Sequence, residues 1–191
     1  MEAFSDGVLA IVITIMVLSL RIPTGNTFRS LSVSGWGLLG YVLSFMFVGI
    51  YWANHHHLLK TVRHVTASVL WANLNLLFWI SLFPFATAWM ADTHFATDPV
   101  VIYGVISLLA GCAYTILQLA IIRSQGPSSE LAAALGSDIK GKLSVAIFLA
   151  GTGIAFISRW AALGCYWTVA IIWLIPDRRL EPVIEKTSDA N

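Results

Sequence analysis

The chain alternates long apolar runs with short polar breaks. Six runs are apolar enough to stand out, over about 3–22, 33–58, 66–90, 99–122, 143–158 and 160–175. A helix that crosses a bilayer needs about 20 consecutive, mostly apolar residues. Six of them need about 120 residues on that rule, and short loops then fit the remainder of the 191-residue chain. The first run is led by Glu2 and Asp6 rather than by basic residues, and it reaches Arg21 without a small-x-small cleavage pattern. It therefore reads as a retained helix and not as a signal peptide. Pro23, Gly25 and Asn26 close it. Pro84 interrupts the third run, where the carbonyl it frees predicts a kink. Gly126-Pro127-Ser128-Ser129 opens the longest loop, and a mildly amphipathic stretch follows over 130–135. The last two runs are short and meet around Arg159, which predicts a helical hairpin that ends at Pro176. A membrane domain over 1–176 followed by a loose polar tail over 177–191 is the expected organisation.

Composition sharpens this picture. Hydrophobic residues make up 58% of the chain and charged residues 11%, against roughly 25% charged in a soluble domain. So few charges cannot clothe a water-facing surface, so most of the surface must meet lipid or another subunit. A net charge of +1 supplies no basic field for nucleic acid. Cys112 and Cys165 both lie inside apolar runs and read as small packing residues, with no disulfide, zinc or redox role. With the N-terminus inside, the inner segments hold Lys60, Arg63, Arg123, Lys140, Lys142, Arg178, Arg179 and Lys186, and the outer ones only Arg21, Arg29 and Arg159. The acidic Asp92 and Asp98 fall outside. The excess of positive charge inside predicts an all-α integral membrane protein with six transmembrane helices and both termini cytoplasmic. Enzyme signatures are missing: there is no glycine-rich phosphate loop, no His-Glu-x-x-His helix and no nucleophile elbow. Neither a Thr-Val-Gly-Tyr-Gly filter nor a marked internal repeat is present.

Polar residues inside membrane helices are costly, and they are the functional candidates. Ser5 and Asp6 open the first helix, where they suit either a helix cap or a polar anchor to a neighbour. Trp52, Asn54, His55, His56 and His57 lie at the end of the second. Successive helical residues point about 100° apart, so the three histidines cannot share a face or form a metal site by themselves. They suit the headgroup level, or one of them turns inward and pairs with Asp6. Asn73 and Asn75 lie on the third helix, and Asn73 is near enough to that end to join such a cluster. Gln118 reads as a packing hydrogen bond in the fourth. Gly7, Ile11, Thr14 and Leu18 fall on one face of the first helix, a stripe that suits helix packing or a pore lining.

Three features in order carry a resemblance. Phe4-Ser5-Asp6-Gly7-Val8-Leu9-Ala10-Ile11, continuing to Thr14 and Leu18, resembles helix one of the transmembrane protein 175 family, potassium channels of endosomes and lysosomes with bacterial relatives. Trp52-x-x-His55 is similar to that family's tryptophan–histidine pair, and Asn73 followed by Pro84 to its third helix. The match covers about the first 90 residues. It implies a homotetramer around a central pore lined by helix one, in the inner membrane of a bacterium. Ile11 would form the narrowest ring, Thr14 would contribute to selectivity, and Leu18 would form the next apolar layer. Phe4, Ser5, Asp6, Trp52, His55 and Asn73 would make the polar network that holds helix one. The expected function is a potassium-permeable cation channel with modest preference over sodium and no carbonyl filter. Its partners are potassium and other monovalent cations, membrane lipid and copies of itself, with no cofactor and no resident metal. The family's signature arginine falls one position ahead of Met1, which leaves Asp6 short of one expected partner. Two other classes compete. A proton-coupled secondary transporter would use Asp6 and His55 as a relay and predicts saturable, pH-linked flux. A metal-using membrane protein predicts stoichiometric zinc or iron.

Overall fold

The computed structural model describes residues 1–62, 64–126, 131–132 and 138–174, with residue 33 described by its backbone alone. The regular elements among the described residues are all helical, in the order α1 (Glu2–Leu18), a 3-10 segment (Phe28–Ser34), α2 (Gly35–Lys60), α3 (Ala67–Ser81), α4 (Phe83–Asp92), α5 (Thr97–Gln125), α6 (Ile139–Ile154) and α7 (Arg159–Leu174). The stretch expected over 130–135 and the tail over 177–191 fall largely or wholly outside the described residues.

Local chemistry accounts for most of the breaks. Pro23 disfavours a helical conformation at Ile22. Helix α1 stops at Leu18, short of the expected Ile22, and the Ser19 hydroxyl donates to the Met16 carbonyl at 2.7 Å. The expected kink in the third run is a full interruption: α3 ends at Ser81, Leu82 lies between, and Pro84 falls in the first turn of α4. A proline is tolerated there because the first helical amides have no partner to lose. The 3-10 segment was not anticipated. Its serine hydroxyls bond back to carbonyls three residues earlier, Ser30 to Thr27 and Ser32 to Arg29.

Among the described residues, three helices are long and apolar enough to cross a bilayer: Gly35–Lys60, the joined Ala67–Asp92, and Thr97–Gln125. Helix α1 has 17 residues, and α6 and α7 have 16 each. At 1.5 Å per residue these reach about 24–26 Å, slightly less than a hydrocarbon core of about 30 Å.

Helix α5 is the hub. It packs on α3, α4, α6 and α7, while α2 packs on α1, α4 and α7. Aromatic rings join these elements: Phe47 of α2 meets Phe83, Tyr103 and Phe148 at centroid distances of 6.3, 6.4 and 5.5 Å. Tyr166 of α7 closes the set against Tyr103 and Phe148. Ser44, Thr87 and Tyr103 form a buried hydroxyl cluster inside it, with Ser44 Oγ 2.6 Å from Thr87 Oγ1 and 3.1 Å from Tyr103 Oη. Such clusters join membrane helices where no water can compete.

The α6–α7 hairpin expected around Arg159 forms and packs closely. Two glycines seat Tyr166: Gly151 on α6 and Gly104 on α5. A Cβ on Gly104 would run into the Tyr166 hydroxyl and stand 2.5 Å from Thr152 Oγ1. Tyr166 is fully buried, and its hydroxyl donates to the Val100 carbonyl at 3.2 Å, so the ring has nowhere to move. Gly104→Ala is expected to destabilise the fold by about 1–3 kcal/mol through overpacking, measured as a lower thermal midpoint of the detergent-solubilised protein. Gly153→Ala, where the added Cβ meets nothing within 4 Å, serves as the control.

Candidate functional site

Helix α1 has two distinct faces. Ser5, Leu9, Val12 and Met16 are buried against the other helices. Phe4, Gly7, Ile11, Thr14 and Leu18 lie exposed on the opposite side, with Ile11 at 58% and Leu18 at 81%. The spacing of both sets follows the helical repeat. One chain therefore leaves a whole apolar stripe of α1 uncovered. Thr14 is the polar member of that stripe, and its hydroxyl donates to the Ile11 carbonyl at 2.9 Å. The hydroxyl proton is thus spent on the backbone, and the oxygen's lone pairs remain available.

The buried face is fastened by a directional chain of hydrogen bonds across three helices. His55 of α2 stands with Nε2 2.6 Å from Asn73 Oδ1 on α3. An amide oxygen only accepts, so Nε2 carries the proton. Asn73 Nδ2 donates to Ser5 Oγ at 3.0 Å, and the Ser5 hydroxyl donates to the Met1 carbonyl at 3.2 Å. Ser5, His55 and Asn73 are all at most 2% exposed. His55 Nδ1 is left buried without a partner among the described residues.

A second, more exposed pair of contacts lies alongside. The Trp52 indole donates to Asp6 Oδ1 at 3.0 Å. His56 Nδ1 stands 3.0 Å from Glu2 Oε1. Glu2 and Asp6 are one turn apart on α1, and Trp52 and His56 one turn apart on α2. The two helices run side by side so that each member of one pair meets a member of the other.

The chain matches known proteins over most of its length. Residues 1–84 match the family described as "Endosomal/lysosomal potassium channel TMEM175". Over 186 residues the chain is 49% identical to a potassium channel of Chryseobacterium sp. (strain P1-3), covering 97% of each chain. It belongs to the TMEM175 family. The fold agrees with a solved structure described as a lysosomal potassium-selective channel TMEM175 homolog from Chamaesiphon minutus, with a TM-score of 0.75 and 25% identity, covering 92% of this chain and 95% of that one. The human relative, "Endosomal/lysosomal proton channel TMEM175", is 34% identical over 110 residues, which is 51% of this chain and 21% of the human protein. This TMEM175 member is a membrane protein, and the relatives it matches are named as channels rather than as enzymes or transporters.

Within the expected network the structure brings Ser5, His55 and Asn73 together, and separately Asp6 and Trp52. Two expectations are corrected. Asp6 and His55 do not pair: among the described residues Asp6 bonds Trp52, and His55 bonds Asn73. Asp6 is the residue after Ser5, about 100° around α1, and Trp52 is three residues before His55, about 60° around α2, which directs both to the flank. Phe4 is 60% exposed on the stripe side of α1 and takes no part in the network. The three histidines do divide as the helical angle requires, with His55 buried, His56 intermediate and His57 exposed. Asn54 bonds the Ile50 carbonyl of its own helix at 2.8 Å and joins neither group. Sequence reading missed Glu2–His56 and the Ser44–Thr87–Tyr103 cluster. The first had a visible signal: if Asp6 meets Trp52 across antiparallel helices, residues four earlier and four later must also meet.

Removing Asn73 strands both neighbours. Asn73→Leu is expected to lower stability by about 1–3 kcal/mol, the cost of leaving buried polar groups unpaired, and to do so more than Asn75→Leu on the same helix. Thermal unfolding of the two purified variants measures the difference.

Proposed function

We propose that this protein is a potassium-permeable cation channel whose pore is lined by α1 of four identical chains, with modest preference for potassium over sodium. The observation that carries the reading is the uncovered stripe of α1, apolar except for the Thr14 hydroxyl, on a helix whose other face is pinned by buried hydrogen bonds. Lipid alone would cover such a stripe without any need for Thr14. The potassium-channel names of the bacterial relatives support the reading.

In this arrangement both termini face the cytoplasm of a bacterial cell, six segments cross its inner membrane, and four Ile11 side chains meet on the axis. A narrow apolar ring expels water, and a cation there loses hydration without replacement. Outward motion of α1 would widen and wet the ring. Potassium holds its water less tightly than sodium, so partial dehydration favours potassium. Four Thr14 oxygens one turn further along, their protons engaged by the backbone, would offer lone pairs to the ion. Leu18 would form the next apolar layer. So few oxygens give modest selectivity. No cofactor is needed. A proton-coupled transporter built on an Asp6–His55 relay finds no such pair. Proton permeation is the second reading, favoured by the mammalian relatives' name, since a wetted ring would pass protons along its water file.

Purified protein reconstituted into potassium-loaded liposomes tests the proposal. Potassium efflux is expected to collapse an imposed potential, and Ile11→Asn is expected to raise the conductance by hydrating the ring. Thr14→Val is expected to lower the potassium-to-sodium ratio about threefold, the ~0.6 kcal/mol scale of one polar contact in a membrane. A flux unchanged by either substitution would remove α1 from the pore. A trapped pH indicator in the same vesicles separates a proton current from a potassium one.

A further inference from the structure

Glu2, Asp6 and His56 stand together where α1 begins and α2 ends. Each offers one ligand atom, and the three atoms lie within 4.8 Å of one another. In a tetrahedral zinc site with ligand bonds of about 2.0–2.2 Å, the ligand atoms are themselves about 3.3–3.6 Å apart. The His56 Nδ1 to Glu2 Oε1 distance of 3.0 Å and the 4.8 Å limit bracket that separation. The contact is at ion-pair distance but is not an aligned hydrogen bond. His56 Nδ1 is shielded from solvent and makes no aligned hydrogen bond, to Glu2 or to any other described group. A cation shared with the two carboxylates would give this shielded nitrogen an aligned partner.

The surroundings also hold the donors in place. The Trp52 indole N–H fixes one oxygen of Asp6 at 3.0 Å, as hydrogen bonds to ligating carboxylates do in metal sites. The same indole stacks on His56, with centroids 5.9 Å apart and planes inclined by 27°. One imidazole and two carboxylates suit a borderline divalent transition cation, with a fourth position left for water.

We propose that Glu2, Asp6 and His56 form a binding site for a divalent transition metal of the zinc type. The bound cation ties the first turns of α1 to the last turns of α2, beside the Ser5–Asn73–His55 chain. It thus joins the uncovered helix to the fixed ones at a second point. The site is distinct from one made by the three consecutive histidines, because His55 is committed to Asn73 and His57 points to solvent. The proposal stands apart from the channel reading, since metal binding is measured without any flux.

The test is titration of the untagged, detergent-solubilised protein with cobalt(II), followed by competition with zinc. The expected result is the intense visible bands of tetrahedral cobalt at one ion per chain, displaced by zinc. Glu2→Gln and His56→Gln are each expected to weaken binding at least tenfold, and His57→Gln to leave it unchanged. Trp52→Phe, which keeps the stacking ring and removes the N–H, is expected to weaken it about tenfold. Folded wild-type protein that gives no tetrahedral bands overturns the proposal, whatever the variants do. So do bands that persist in folded Glu2→Gln, or that disappear in His57→Gln.

Discussion

The hydrogen-bond chain from His55 through Asn73 to Ser5 is the constraint on which the placement of α1 depends. These three groups are buried where they cannot turn to water, so each holds the other two. In a membrane helix made almost wholly of aliphatic residues, a buried polar group strongly biases which face turns inward, since lipid and protein are similarly apolar to it. Ser5 makes that choice for α1. Once Ser5 faces Asn73, Leu9, Val12 and Met16 follow it inward at helical spacing, and Phe4, Ile11, Thr14 and Leu18 are turned out. The pin sits at one end of the helix. Beyond it α1 is held only by apolar packing, until the exposed Arg21–Asp92 pair, at 2.9 Å, links the far connection to the end of α4.

The remainder of the chain is the body against which α1 is pinned. Helix α5 runs its length, and the rings of Phe47, Phe83, Tyr103, Phe148 and Tyr166 tie α2, α4, α6 and α7 around it. The seat that Gly104 and Gly151 make for Tyr166 brings the short hairpin close enough to bury its aromatic side. Small residues at such interfaces let backbones approach where no hydrophobic driving force would press them together. The body is therefore specified by shape and by a few buried hydroxyls, and the seating of α1 by one buried polar chain with the Asp6–Trp52 contact on its flank.

The sequence was most informative where a signal is local. Proline chemistry marked the interruption near Pro84 and the stop before Pro23. The 100° advance per residue separated the fates of His55, His56 and His57. The stripe of Gly7, Ile11, Thr14 and Leu18 could be read off helical spacing, although spacing alone did not say whether other helices of the chain cover it. The two misassignments have one origin. Phe4 and Asp6 flank Ser5, and adjacency in the motif suggested a shared role, whereas adjacency on a helix guarantees divergent directions. Membership of the TMEM175 family was legible in the first 90 or so residues, because the polar positions of helix one are few and their order is specific.

What the amino-acid sequence determined by itself is the solvent this chain inhabits, the apolar runs that carry its long helices and the angular spacing of side chains around each helix axis. These follow from hydropathy and from a repeat that each segment carries alone. What only the tertiary structure decided is which of those faces meet. Ser5 and Asn73 are separated by 68 residues and Asp6 and Trp52 by 46. Such pairings depend on how helices far apart in the chain are rotated and shifted against one another. Apolar faces are nearly interchangeable in that search, so a handful of buried polar groups and close-packed glycines settle it, and their partners become visible only once the helices are side by side.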